Sequence, residues 1–212
     1  DIDNSGTIQA SNVDGSGGKI RVVANKGTTI SSGTLDAFSD TAEGGDIQVL
    51  GDRVGITGDI DASGPSAGGE ILIGGDYRGE NPDIKNAQKT FIGPDSTISA
   101  SATEQGDGGR VIAWADDTTR FYGSIDADAA GQETDGGFIE VSGKENLLFA
   151  GEASAAAGTD GLSGTILLDP QDITVLDAGG DDGEITGDSS INFANGNTSD
   201  FTISDEAIVS LS

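Results

Sequence analysis

The sequence predicts an all-β protein, a parallel β-helix of roughly eight coils, and three observations lead there. Gly-Gly pairs recur at Gly17-Gly18, Gly44-Gly45, Gly68-Gly69, Gly108-Gly109 and Gly136-Gly137, with spacings of 27, 24, 40 and 28 residues. Each pair is followed by a short apolar segment: Lys19-Ile20-Arg21-Val22, Asp46-Ile47-Gln48-Val49, Glu70-Ile71-Leu72-Ile73, Arg110-Val111-Ile112-Ala113 and Phe138-Ile139-Glu140-Val141. Alternation of this kind over four or five residues marks a strand, and repetition at a fixed period marks a solenoid. A second column lies half a period away, in Gly6-Thr7-Ile8, Gly33-Thr34-Leu35, Gly58-Asp59-Ile60, Ser96-Thr97-Ile98, Gly123-Ser124-Ile125 and Gly151-Glu152-Ala153.

The elements follow in order. Between the two columns sit further short strands such as Val54-Gly55-Ile56 and Leu147-Leu148-Phe149, which gives three strands per coil. A period near 27 holding three strands leaves no room for hairpins of ordinary length, so each strand must pair with its equivalent one coil later. Ile8, Leu35, Ile60, Ile98, Ile125 and Ala153 would then form one interior ladder, spaced about 4.8 Å apart. The small residues Ala37, Ala62 and Ala127 suit a tight corner, and the glycines suit positions where backbones approach closely.

Two departures from regularity organise the chain. The 40-residue interval contains an insertion at 76–90, expected to leave the coil as a loop, that carries three of the ten basic residues. Regular coils are expected over 1–176, and 177–212 reads as irregular acidic coils or a cap, with strand-like runs at Asp172 to Leu176, Ile191 to Phe193 and Phe201 to Leu211.

Composition removes whole chemistries. The chain of 212 residues has 37 acidic against 10 basic residues, a net charge of −27, and contains no His, Cys or Met. There is no imidazole base or ligand, no disulfide and no thiolate. Such charge disfavours nucleic acid and anionic lipid as partners. No run approaches the roughly eighteen apolar residues of a membrane helix, so no membrane insertion is expected. Opening on Asp1-Ile2-Asp3-Asn4, the sequence reads as a piece of a longer protein.

The series Gly74-Gly75-Asp76-Tyr77-Arg78-Gly79, Gly106-Asp107-Gly108-Gly109, Gly136-Gly137-Phe138-Ile139-Glu140-Val141-Ser142-Gly143-Lys144 and Gly164-Thr165-Ile166-Leu167-Leu168-Asp169-Pro170 resembles the passenger region of filamentous-haemagglutinin-like exoproteins, the bacterial adhesins exported by two-partner secretion. The resemblance covers roughly residues 1 to 176. It implies a right-handed parallel β-helix, export through an outer-membrane two-partner transporter, folding at the surface of a Gram-negative cell, and display there as a secreted adhesin. The family's amino-terminal secretion motifs are not found in this stretch, which reads as a downstream piece of the passenger.

The alternative to a rod is a carbohydrate-active β-helix, a polysaccharide hydrolase or lyase. Glycoside hydrolysis needs two carboxylates at a set separation, and the chain offers Asp116-Asp117 and Asp181-Asp182. The second pair resembles the Gly-Asp-Asp element of polygalacturonases, but the accompanying Ser-His-Gly and Arg-Ile-Lys elements are absent, so the expectation is no enzyme. A lyase would need Ca²⁺ bound by carboxylates and an Arg or Lys base, and Arg120 lies close to Asp116 and Asp117 in sequence, although outward charges on adjoining strands produce such neighbours routinely. Asp-Asp at a Gly-rich turn reads better as a solvated corner.

Ligand binding has three candidates. Trp114 could be a stacking platform for a surface glycan or host receptor if it faces outward, and Tyr77 and Arg78 could contact a ligand from the insertion. No cofactor is expected, although Ca²⁺ could bridge Asp36 and Asp61, neighbours in the outward column Gln9, Asp36, Asp61, Ser99, Asp126 and Ser154. Asp1-Ile2-Asp3-Asn4-Ser5-Gly6 mimics the start of an EF-hand loop but has Asn12 where Glu belongs. Asn197-Thr198-Ser199 matches a glycosylation sequon, and the Thr pairs 28-29 and 118-119 recur too rarely for an ice-binding array. The functional expectation is a structural and adhesive rod.

Overall fold

A computed structural model describes residues 1–170, together with the backbone of two further strands, Thr174–Leu176 and Thr202–Ser204. Asp181-Asp182, the sequon at Asn197 and the rest of the expected 177–212 cap lie outside the described residues.

Three parallel sheets wall a β-solenoid of about six turns. The first sheet stacks Ile2–Asn4, Thr28–Ser31, Arg53–Ile56, Lys89–Ile92, Thr118–Phe121 and Asn146–Phe149, then Thr202–Ser204 and, outside it, Thr174–Leu176. The second stacks Thr7–Gln9, Thr34–Asp36, Ile60–Asp61, Thr97–Ser99, Ser124–Asp126 and Glu152–Ser154. The third stacks Lys19–Val23, Asp46–Leu50, Glu70–Ile73, Arg110–Ala115, Phe138–Gly143 and Thr165–Leu167. The expected eight coils are corrected to about six among the described residues, because dividing the full length by 27 ignored the turn that spends 40 residues and counted residues beyond those described. Six turns make a rod about 29 Å long.

The interior ladder has the expected register. Leu35 pairs with Ile60, Ile60 with Ile98, Ile98 with Ile125 and Ile125 with Ala153, and all five are buried. Ile8 pairs with Leu35 but lies in the first turn, whose edge is open, and is 38% exposed. The third sheet adds the ladder Ile20, Ile47, Ile71, Val111 and Ile139. From the first sheet, Phe121 and Phe149 stack with ring centroids 4.9 Å apart.

The Gly-Gly corners have a specific cause. The second glycine of each pair donates its N–H to the carbonyl of the alanine that closes the second-sheet strand, Gly18 to Ala10 at 3.1 Å, Gly45 to Ala37 at 2.9 Å, and Gly69 to Ala62, Gly109 to Ala100 and Gly137 to Ala127 at 2.8 Å, and Gly164, which follows Ser163, does the same to Ala155 at 2.8 Å. A Cβ on Gly45 would fall inside the Gly18 carbonyl oxygen of the preceding turn and 2.8 Å from the Ala37 Cβ. Small side chains on both partners let the corner close.

A polar ladder runs inside the core, unanticipated from the sequence. Buried Thr29, Thr90 and Thr119 point inward from the first sheet and donate Oγ1–H to the carbonyls of Leu50, Trp114 and Ser142 at 2.7, 2.6 and 2.7 Å. Each bond ties the first sheet to a carbonyl near the end of the following third-sheet strand and satisfies the buried threonine hydroxyl; the Leu50 carbonyl also accepts from Ala24 N at 2.9 Å.

Placing a carboxylate in the Leu35–Ile60–Ile98 ladder tests the register. Ile60→Asp is expected to cost several kcal/mol, about 3–5, read as a lowered urea midpoint; a change below 1 kcal/mol would refute the inward assignment of Ile60.

Candidate functional site

Among the described residues, the insertion is where the solenoid acquires a second layer. The chain leaves the third sheet after Ile73, makes a short 3₁₀ turn at Tyr77–Gly79, and rejoins the first sheet at Lys89. It lies back over the outer face of the third sheet as a strap. Outward positions there are apolar, with Leu72, Ile112 and Trp114 buried as a cluster against Ile84 and Phe138. Burying that surface stabilises the strap by about 25 cal/mol per Å².

Trp114 faces outward from its strand, as a stacking platform would, but the strap covers it and leaves it 4% exposed. Its Nε1 donates to Asp116 Oδ1 at 3.0 Å, and the same oxygen accepts from Asn86 Nδ2 of the strap at 3.0 Å. Close cover requires glycine: a Cβ on Gly75 would sit 2.7 Å from Trp114 Cδ1, and one on Gly79, which has φ +63°, 2.5 Å from Nε1. The ring has no free face for a sugar. Asp117, half of the acidic pair, accepts from Thr118 Oγ1 at 2.9 Å and pairs with Lys89 Nζ at 3.2 Å, which hold its carboxyl below the usual range.

Tyr77 and Arg78 do come together. The Tyr77 ring packs edge-on to Phe138 with centroids 5.8 Å apart, and Arg78 Cζ lies 5.1 Å from the Tyr77 centroid. Arg78 adopts φ +54°, and its N–H is aimed at the Glu140 carboxyl, 3.3 and 3.2 Å from the two oxygens. Its Nε sits 3.4 Å from Asp169 Oδ2, an ion pair without hydrogen-bond alignment. Asp169 N in turn donates to Ser142 Oγ at 3.1 Å. The strap is tied to two later turns at once.

At this same starting end of the strap Arg110 bridges Glu70 and Asp76, with both N–O distances 2.6 Å. Burial would raise the Asp76 carboxyl, but hydrogen bonds from Asn81 Nδ2, Tyr77 N and Arg110 outweigh it and hold it below its usual range. Lys85 crosses back to Asp52 Oδ1 and the Asn25 carbonyl at 2.5 and 2.9 Å.

Glu140 is the group that sequence reasoning missed. It occupies an outward strand position that reads as solvated, yet it is fully buried, and desolvation pushes its carboxyl up to about 7 against the lowering effect of the Arg78 N–H and Ser142. Asp169 is also raised, by burial first, with Arg78 opposing. A signal existed: Leu72 and Ile112, its column neighbours, are apolar at positions that should face water.

Asp36 and Asp61 are register neighbours on the second sheet. Each turns back onto its own chain, Asp36 accepting from Phe38 N at 3.0 Å and Asp61 from Ser63 N at 2.8 Å, while Asp36 also accepts from Gln9 Nε2 at 2.9 Å. Among the described residues, no group of three or more acidic side chains is placed to hold a metal. No protein-family model matches the chain, and no curated protein matches it with statistical significance.

The Glu140 environment sets a pH dependence. Its folded-state value lies near 7 against an ordinary 4.5, so the folded protein holds the extra proton between these values. The stability this proton supplies is complete below pH 4.5 and is lost as pH rises through about 7. Glu140→Gln keeps the acceptor for the Arg78 N–H and removes the titration. The variant minus wild-type stability, measured by urea unfolding, is expected to rise by about 3 kcal/mol between pH 4.5 and pH 8; a pH-independent difference would contradict the buried-acid assignment.

Proposed function

We propose that this chain is a stretch of a secreted, surface-displayed bacterial adhesin of the filamentous-haemagglutinin-like, two-partner type, and that it acts as a structural and adhesive rod. The observation that carries the reading is where the strap is tied. The resemblance rests on separated segments, and three of them meet: Arg78 of Gly74–Gly79 contacts Glu140 of Gly136–Lys144 and Asp169 of Gly164–Pro170, while Ser142 accepts from Asp169 N. Residues that meet in one tied cluster have a shared structural reason to occur as a series.

The alternative, a polysaccharide hydrolase or lyase, is less well supported. Trp114 and Asp116 are bound to each other under the strap, and Asp117 is engaged by Thr118 and Lys89. On the rod reading, the chain crosses the outer membrane through its partner transporter, folds turn upon turn outside the cell, and needs no cofactor. Nearest-neighbour stacking suits such progressive folding. A glycan or host receptor is its partner class, and its location is the cell surface.

Two measurements test this. Incubation with neutral and acidic polysaccharides is expected to release neither reducing ends nor unsaturated uronate products, and Asp116→Asn with Asp117→Asn is expected to change nothing; sustained release that this double variant abolishes would establish the enzyme reading instead. Antibody labelling of intact cells of the source organism should be positive without permeabilisation, and purely intracellular signal would reject surface display.

A further inference from the structure

The three faces of the rod differ sharply in charge. The second sheet presents Asp36, Asp61, Asp126 and Glu152 outward, and Asp126 is raised by burial and by its neighbours Asp128 and Glu152. The third is covered by the strap around Leu72, Ile112 and Trp114, while Lys19 and Arg21 of its first strand stay exposed. The first is different: the five strands from Thr28–Ser31 to Asn146–Phe149 offer two outward positions each, and these hold Arg53, Lys89 and Arg120 with no carboxylate. In a chain of net charge −27 this is a cationic strip, bordered on the first-turn side by the exposed Asp3 beside Ile30.

That face also carries exposed apolar groups. Ile30 is 41% and Phe91 38% exposed, and Phe91 packs against Tyr122 with ring centroids 5.9 Å apart. Gly55 lies between Ile30 and Phe91 in register, and a Cβ there would meet only Ile30 Cγ1 at 3.8 Å. The result is a one-residue notch walled by apolar side chains. Lys89 is held at the corner by Asp117, whereas Arg53 and Arg120 make no ion pair among the described residues. They stand two turns and two residues apart, about 12 Å between Cα atoms.

We infer that the outer face of the first sheet, centred on Arg53, Gly55, Phe91 and Arg120, binds an acidic polysaccharide bearing uronate carboxylates. Guanidinium forks match planar carboxylates bidentately. Exposed rings and a flat sheet suit the apolar faces of pyranose rings. Two cations far apart match a polymer whose charges recur on the scale of sugars. A nucleic acid, with one charge per about 1.7 Å of duplex, would meet the surrounding acidic faces at every phosphate. The inference deepens the adhesive reading of the rod and rests on it.

The test is a titration of the whole chain with a defined oligogalacturonate at low salt, with EDTA present to remove calcium-mediated association. Saturable binding is expected, weakened by added salt and abolished when the same oligomer is methyl-esterified. Arg53→Gln and Arg120→Gln should each weaken it roughly tenfold, Phe91→Ala and Gly55→Ala should weaken it too, and the exposed Arg21→Gln on the third sheet should not. Circular dichroism checks that each variant folds. No binding, equal binding of the methyl ester, an intact affinity in the double arginine variant, or equal affinity for a single-stranded oligonucleotide would each overturn the assignment. Product release from the oligomer would instead reject the rod reading, so the two failures are distinct.

Discussion

Everything in this molecule depends on the corner where one turn closes upon itself while lying against the turn before. The glycine N–H that reaches the alanine carbonyl within a turn sits where any larger side chain would strike the carbonyl of the preceding turn's glycine. Successive turns approach at the sheet hydrogen-bonding distance all the way round only because both residues are small. Once that approach is set, strand must fall on strand in register, and apolar residues at equivalent positions must stack. The core is therefore a set of columns one or two side chains wide, which is how a chain that is 34% hydrophobic and 5% aromatic can fold at all.

A core so thin leaves the outer faces of the walls free for other uses, and the three sheets diverge. The third sheet is turned into an internal surface by the strap, and that conversion changes the chemistry of what it covers. A tryptophan that would otherwise meet solvent becomes packing, an aspartate becomes its hydrogen-bond acceptor, and an outward glutamate becomes a buried acid with its ionisation near neutrality. The strap is anchored through charge near both ends, by Arg110 to Glu70 and Asp76 and by Arg78 to Asp169 at its start and by Lys85 to Asp52 toward its return, so four of the six ion pairs among the described residues lie around it. Salt bridges that are partly shielded from water and share hydrogen bonds contribute more than exposed ones.

The remaining two faces carry opposite charge, and this division gives the rod its sidedness. Carboxylates in the second-sheet columns fold back onto backbone amides two residues on, which blunts their mutual repulsion across neighbouring turns. The acidic coat also discourages open solenoid edges from pairing with other chains. Against that background a cationic, partly apolar strip on the first sheet is the feature best suited to recognising something outside the molecule.

Most of the architecture was legible in the sequence because it is periodic: the Gly-Gly pairs, the Ile8-to-Ala153 ladder and the three strands per turn are local patterns repeated, and repetition implies stacking. The number of turns was not, since one turn carries an insertion whose length breaks the arithmetic. The site was legible only in its parts. Tyr77, Arg78 and Trp114 could be singled out as residue types, but a linear pattern cannot say that an insertion after Ile73 folds back over Trp114, nor that it reaches Glu140 and Asp169, 62 and 91 residues beyond Arg78. Periodicity determined which residues face in and which face out. Only the tertiary structure decided which outward residues stay wet, because that depends on where one irregular segment comes to rest, and burial of a single strand face reverses the role of every side chain on it.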